Sequence, residues 1–141
     1  MELEATATPL SGLNINATVS WFDFKSDADP TLPNGQPNNV YVDPSFHVKA
    51  EWSGNLGAEY RWAVGSGSIT PRIDWFYQGY RSNGVAYLPQ LSGQDNKVPS
   101  FGLVNARITY NSEDGNWLLA LSAENLFDKF YWYQLAAARS T

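Results

Sequence analysis

From Leu13 onward the chain alternates: Leu13, Ile15, Ala17, Val19 and Trp21 fall on one side, Asn14, Asn16, Thr18, Ser20 and Phe22 on the other. A repeat of two is the period of a β-strand, whereas a helix repeats about every 3.6 residues. Four further stretches keep that period. Leu56, Ala58, Tyr60, Trp62 and Val64 stand against Asn55, Gly57, Glu59 and Arg61. Ile69, Pro71, Ile73, Trp75 and Tyr77 stand against Thr70, Arg72, Asp74, Phe76 and Gln78. Val104, Ala106, Ile108 and Tyr110 oppose Asn105, Arg107 and Thr109, while Trp117, Leu119, Leu121 and Ala123 oppose Leu118, Ala120, Ser122 and Glu124. The pattern predicts strands over 12–23, 54–64, 69–80, 101–111 and 117–125, with Glu2 to Thr8 as the tail of an earlier strand. Pro71 cannot donate to a ladder, but it lies close to a strand start, where such a residue is tolerated.

Each strand has one apolar face ending in Trp or Tyr and one face of Asn, Thr, Arg, Asp, Glu and Gln. Most runs exceed the roughly 5–6 residues of an ordinary strand. They match the roughly 9–11 that a tilted strand needs to cross a bilayer. The connections sharpen the picture. A long polar segment, Asp23 to about Ser53, is followed by the tight turn Gly65-Ser66-Gly67-Ser68. A second long segment, Arg81 to Ser100, is followed by the short turn Asn111 to Asn116. Long connections alternating with short ones are the habit of an up-and-down membrane barrel, whose periplasmic turns are short and extracellular loops long. The expected fold is therefore all-β, with antiparallel strands forming part of a transmembrane barrel. In that topology 12–23, 69–80 and 117–125 run outward, and 54–64 and 101–111 run inward.

Composition narrows the function. Lys and Arg number 9 against 14 acids, a net charge of −5 and a pI near 4.6. Nucleic-acid binding calls for a basic stripe, so no such partner is expected. With no Cys and a single histidine, His47, neither a Cys-based nor a His-cluster metal site can be built. Aromatic residues make up 15% and charged residues only 16%, yet mean hydropathy is −0.36 and no apolar run suits a spanning helix. Many rings without long apolar runs fit a barrel with aromatic girdles. A soluble carbohydrate-binding β-sandwich fits that composition equally; strand length and, above all, the asymmetry of the connections favour the barrel. The start, Glu2-Leu3-Glu4-Ala5-Thr6, has no signal-peptide character, so either the chain is not exported or an N-terminal part is missing.

The last third resembles the C-terminal signature of TonB-dependent outer-membrane receptors. Val104-Asn105-Ala106-Arg107, Asp114-Gly115-Asn116-Trp117 and above all Asn125-Leu126-Phe127-Asp128-Lys129-Phe130-Tyr131 carry the resemblance. Ile69 to Trp75 is also similar to a strand common in these receptors, so the likeness covers about residues 54–133. It implies a bacterial outer-membrane barrel with a plug in its lumen. Such a receptor binds a scarce nutrient, often a ferric siderophore, and an inner-membrane energy-transducing complex drives its release inward. The plug, the segment that recruits the transducer and a last inward strand ending in an aromatic are not seen before Arg139-Ser140-Thr141. The expectation is thus that 1–141 is a partial C-terminal segment of the barrel domain, with two sheet edges that are not viable alone in lipid.

Candidate sites follow from the faces and loops. Asn125, Leu126, Phe127, Asp128 and Tyr131 read as structural: Asn and Asp supply turn hydrogen bonds, Leu and Phe anchor the strand end. Glu59, Arg61, Arg72, Asp74, Arg107 and Glu124 read as cross-strand pairs lining a lumen rather than as a catalytic carboxylate pair. Asp27, Asp29 and Asp43 fit ordinary loop chemistry better than calcium ligation. Tyr80, Tyr87, Gln90 and Trp132 lie in or beside the long connections, where a receptor meets its ligand. No nucleophile–base pair, phosphate loop or cofactor motif is present, so no enzyme activity and no cofactor are expected. A passive porin remains a further alternative to the receptor.

Overall fold

The computed structural model describes residues 1–23, 31–36, 50–82 and 97–132. Tyr87, Gln90, Asp27, Asp29, Asp43 and His47 lie outside the described residues. The main sheet is antiparallel throughout. It is built from β1 (Glu2–Leu10), β2 (Leu13–Trp21), β3 (Trp52–Tyr60), β4 (Trp62–Val64), β5 (Gly67–Gln78), β8 (Phe101–Ser112) and β9 (Leu118–Ala123). Its order is β1-β2-β3-β5-β8-β9, with β4 also on β5. Every neighbour in space is the next full strand along the chain, as in an up-and-down meander. β6 (Arg81–Ser82) and β7 (Lys97–Val98) form a separate two-stranded ribbon.

The alternation seen in the sequence becomes the two faces of this sheet. Register places Ala17 against Leu56, Leu56 against Trp75, and Trp75 against Val104, all on the apolar face. Three rows away, Asn14 stands against Glu59, Glu59 against Arg72, and Arg72 against Arg107 on the polar face. All three tight turns lie at one end, each with a glycine in the left-handed region: Gly12 (φ 85), Gly65 (φ 58) and Gly115 (φ 70). The long connections lie at the other end.

Among the described residues no second layer covers the apolar face. Leu3, Val19, Leu56, Ile108 and Leu121 are exposed, and Ile73, paired on both sides in mid-sheet, is still 51% exposed. Only Val98 and Phe101 are buried among the described apolar residues. A soluble sandwich would stack a second sheet about 10 Å away on this face. Here the exposed aliphatic band runs between ring pairs: Trp21 stacked on Trp52 and Trp75 on Tyr77 toward the long connections, and Tyr60 edge-on to Trp62 toward the tight turns.

The structure differs from the pattern in three places. β1 is a full nine-residue strand, with a register shift between Ala7 and Leu10 where Pro9 interrupts the ladder. The second predicted strand breaks at Arg61. Glu59 pairs with Arg72 and Trp62 with Ile69, which sets Tyr60 opposite Pro71, a residue with no N–H to offer. On its other edge the strand holds its β2 register, the Arg61 amide bonding the Gly12 carbonyl at 2.8 Å. Finally, β9 ends at Ala123, because the chain turns at Asn125.

Candidate functional site

On the polar face, three strands bring together a cluster centred on Arg72. Its guanidinium grips Asp74 with two bonds, Nε to Oδ2 at 2.8 Å and Nη2 to Oδ1 at 2.6 Å. It reaches β3 through Nη1 to Glu59 Oε2 at 3.3 Å and β2 through Nη2 to Asn16 Oδ1 at 3.0 Å. Asn14 donates to Glu59 at 3.2 Å, and Thr8 donates to Asn14 at 3.1 Å, so the chain of bonds runs from β5 to β1. Bidentate guanidinium–carboxylate geometry is the strong form of such pairing, since both parallel bonds are charge-assisted.

Gly57 makes this possible. A Cβ there would meet Arg72 Nη2 at 2.5 Å, and Asn16 Oδ1 and Asp74 Oδ1 at 2.6 Å. The bare backbone of Gly57 is the floor on which the guanidinium lies. Arg72 faces Arg107 directly across β5 and β8, a like-charged pairing that opposes stability. Arg72 turns to its acids on the far side, while Arg107 donates to Thr109 at 3.3 Å.

Of the residues expected on this face, the structure therefore brings Glu59, Arg72 and Asp74 together. Arg61, Arg107 and Glu124 take no part in the cluster. Asn14 and Asn16 are essential members that the sequence placed only on the right face, because their partners lie as far as 56 residues away. Among the described residues there is no group of three or more metal-ligating side chains.

Two further assemblies sit at the ends of the sheet. Toward the long connections, Tyr80 donates to Glu51 at 2.8 Å, and that bond, with desolvation, holds the phenol above its ordinary pKa. Nearby on the polar face, Phe101 packs between Phe76 (6.1 Å) and Tyr131 (4.5 Å, stacked), and Trp132 meets Phe130 edge-on. The Asn125–Lys129 turn leads into these rings. Asn125 Oδ1 accepts from the Lys129 amide at 2.9 Å, and its Nδ2 donates to the Lys129 carbonyl at 3.1 Å. Asp128 contributes a left-handed backbone (φ 49) and its N–H to the Asn125 carbonyl, and its side chain joins none of these bonds. At the tight-turn end, Asp114 accepts from the Ser112 hydroxyl at 2.6 Å and from the Asn116 amide at 3.1 Å, which lowers its carboxyl pKa.

The geometry of the main sheet is that of a membrane wall: one face apolar and uncovered by the described residues, the other polar and partly paired through Arg72, with rings at both rims. No solved structure matches the chain. Residues 1–126 match the family described as TonB dependent receptor-like, beta-barrel. The chain belongs to that family of outer-membrane receptors, which is a transport family and not an enzyme family.

Proposed function

We propose that this chain forms part of the lumen wall of a receptor that imports a scarce nutrient, a ferric siderophore or a cargo of similar size. In this reading residues 1–141 are a C-terminal portion of the barrel domain. Glu59, Arg61, Arg72, Asp74, Arg107 and Glu124 face the lumen, while Leu56, Ile73, Ile108 and Leu121 face lipid. Tyr80, Tyr87, Gln90 and Trp132 stand at the outer side, where ligand arrives. Leu126 and Phe127 hold the outer end of β9 at the membrane interface. Release inward is driven by the inner-membrane energy-transducing complex.

One observation carries the reading: every full strand leaves an aliphatic side chain exposed on the apolar face, while on the polar face Arg72 is paired with Glu59, Asp74 and Asn16. Lipid stabilises the first face, and the second tolerates a watery lumen. A soluble sandwich needs a covered apolar face, which the described residues do not form.

The test is uptake of labelled ferric siderophores by cells with and without the gene, before and after an uncoupler collapses the proton gradient. The proposal predicts that deletion and uncoupling both abolish uptake of at least one cargo. Uptake lost on deletion but indifferent to the uncoupler would favour a passive porin. Uptake indifferent to both contradicts the proposal.

A further inference from the structure

Asn105 lies on the polar face of β8, opposite Asp74 of β5. Its side-chain oxygen accepts the backbone N–H of Asn125 at 2.8 Å. Next to it, the Val104 carbonyl takes the N–H of Leu126 at 2.7 Å. β8 and β9 pair Ala106 with Ala123, a register that would set Asn125 opposite Val104. The bond from Leu126 is therefore displaced by one residue, as at a bulge. Asn125 itself has φ 49, a left-handed conformation that asparagine adopts more readily than most residues.

The displacement, with the closed Asn125–Lys129 turn that follows it, redirects the chain six residues on. Regular alternation from Leu119, Leu121 and Ala123 would put Tyr131 on the apolar face. The same register would set Asp128 opposite Phe101 and carry Tyr131 about 10 Å past it. Instead the Tyr131 ring stacks at 4.5 Å on Phe101, which projects on the polar face opposite Gln78. Phe101 is left only 8% exposed.

The structure assigns Asn105 as a positioning residue: its amide oxygen anchors the turn that carries the chain leaving β9 inward, so that Tyr131 forms part of the rim of the lumen mouth. This rests on the reading of the polar face as the lumen wall, and it deepens that reading. The rim residues that a cargo meets here are set by a side chain on the neighbouring strand. A cargo entering beside β8 meets the Tyr131–Phe101 ring stack before it meets the charged wall around Arg72.

The natural chain has no cysteine, so introduced pairs report cleanly. Phe101→Cys with Tyr131→Cys, oxidised in intact outer membranes, tests the turned path. Phe101→Cys with Asp128→Cys tests the unturned one. The inference predicts a disulfide in the first pair and little in the second. Adding Asn105→Ala lowers the yield of the first about fivefold, the effect expected for loss of one hydrogen bond. Asn105→Asp, which keeps an acceptor oxygen, restores most of it. Tyr131→Cys alone gives an independent readout: on the polar face it reacts with a water-soluble maleimide, and on the lipid side it is shielded. A dominant 101–128 disulfide, a 101–131 yield indifferent to Asn105→Ala, or a shielded Tyr131→Cys each overturns the assignment. Membrane fractionation of the unsubstituted chain separates the two claims. If that chain is absent from the outer membrane, the receptor reading has failed, not the turn.

Discussion

Arg72 and Asp74 stand two residues apart on one face of β5, and the guanidinium of the first closes on the carboxylate of the second with bonds of 2.8 and 2.6 Å. Pairing within a strand frees the remaining donors of Arg72 to reach Glu59 and Asn16 on the next two strands. One side chain thereby ties three strands together on the polar face. Each ion pair is about a third exposed, so neither alone is a strong stabiliser. The joint geometry matters more than any single pair.

Gly57→Ala therefore disrupts this cluster more than a methyl group elsewhere on the face. The new Cβ would meet three of its polar atoms at 2.5–2.6 Å. Overpacking of this kind costs about 1–3 kcal/mol. In an Arg72→Met background the cost shrinks, because the crowded guanidinium is gone. A double-mutant cycle from urea unfolding in lipid vesicles measures the coupling. Additive effects would mean that Gly57 does not serve Arg72.

Asn125 makes a second prediction. Asn125→Gly keeps the left-handed backbone but loses both bonds to Lys129. Asn125→Val loses them and adds the strain of a β-branched residue at φ 49. The valine variant is expected to be less stable than the glycine variant by about 1–2 kcal/mol. Their unfolding midpoints check the order.

Asp114 governs the response to acid at the opposite end. The Ser112 hydroxyl and then the Asn116 amide favour its charged form, so its folded pKa lies below the ordinary value of 3.8. A depressed folded pKa means stability that is present above the unfolded value and lost as pH falls through the folded one. The β8–β9 turn should therefore loosen on acidification below about 4. Trp117, whose N–H rests on Ser112 Oγ at 2.9 Å, reports this by its fluorescence. Asp114→Asn should remove that acid step. A step of unchanged size in the variant would place its origin elsewhere.

Much of this architecture was legible in the alternation. A period of two, kept over long runs, assigns each residue to a face without any knowledge of its neighbours, and glycine-bearing turns fix which ends are tight. Register is different. Asn16 and Arg72 meet only because β2, β3 and β5 are staggered as they are, and no local signal encodes a contact across 56 residues. The break at Arg61 required knowing that Pro71 faces Tyr60. Tyr131 shows the limit most clearly: alternation carried on from Ala123 would set it on the apolar face, whereas the turn at Asn125, whose N–H Asn105 accepts, brings it onto Phe101 on the other. The Arg81–Ser82 and Lys97–Val98 ribbon lies in a stretch that read only as a polar connection.

The face that carries Ile73 and Leu121 meets lipid. Ile73→Arg, Leu121→Arg and Thr109→Arg, each measured by urea unfolding from vesicles, test it most directly. Thr109 lies on the polar face, opposite Thr70 and Ala120. Near the bilayer midplane a lipid-facing arginine costs roughly 2–4 kcal/mol. The account predicts that loss at Ile73 and Leu121 and a mild effect at Thr109, whereas equal losses at all three would contradict it.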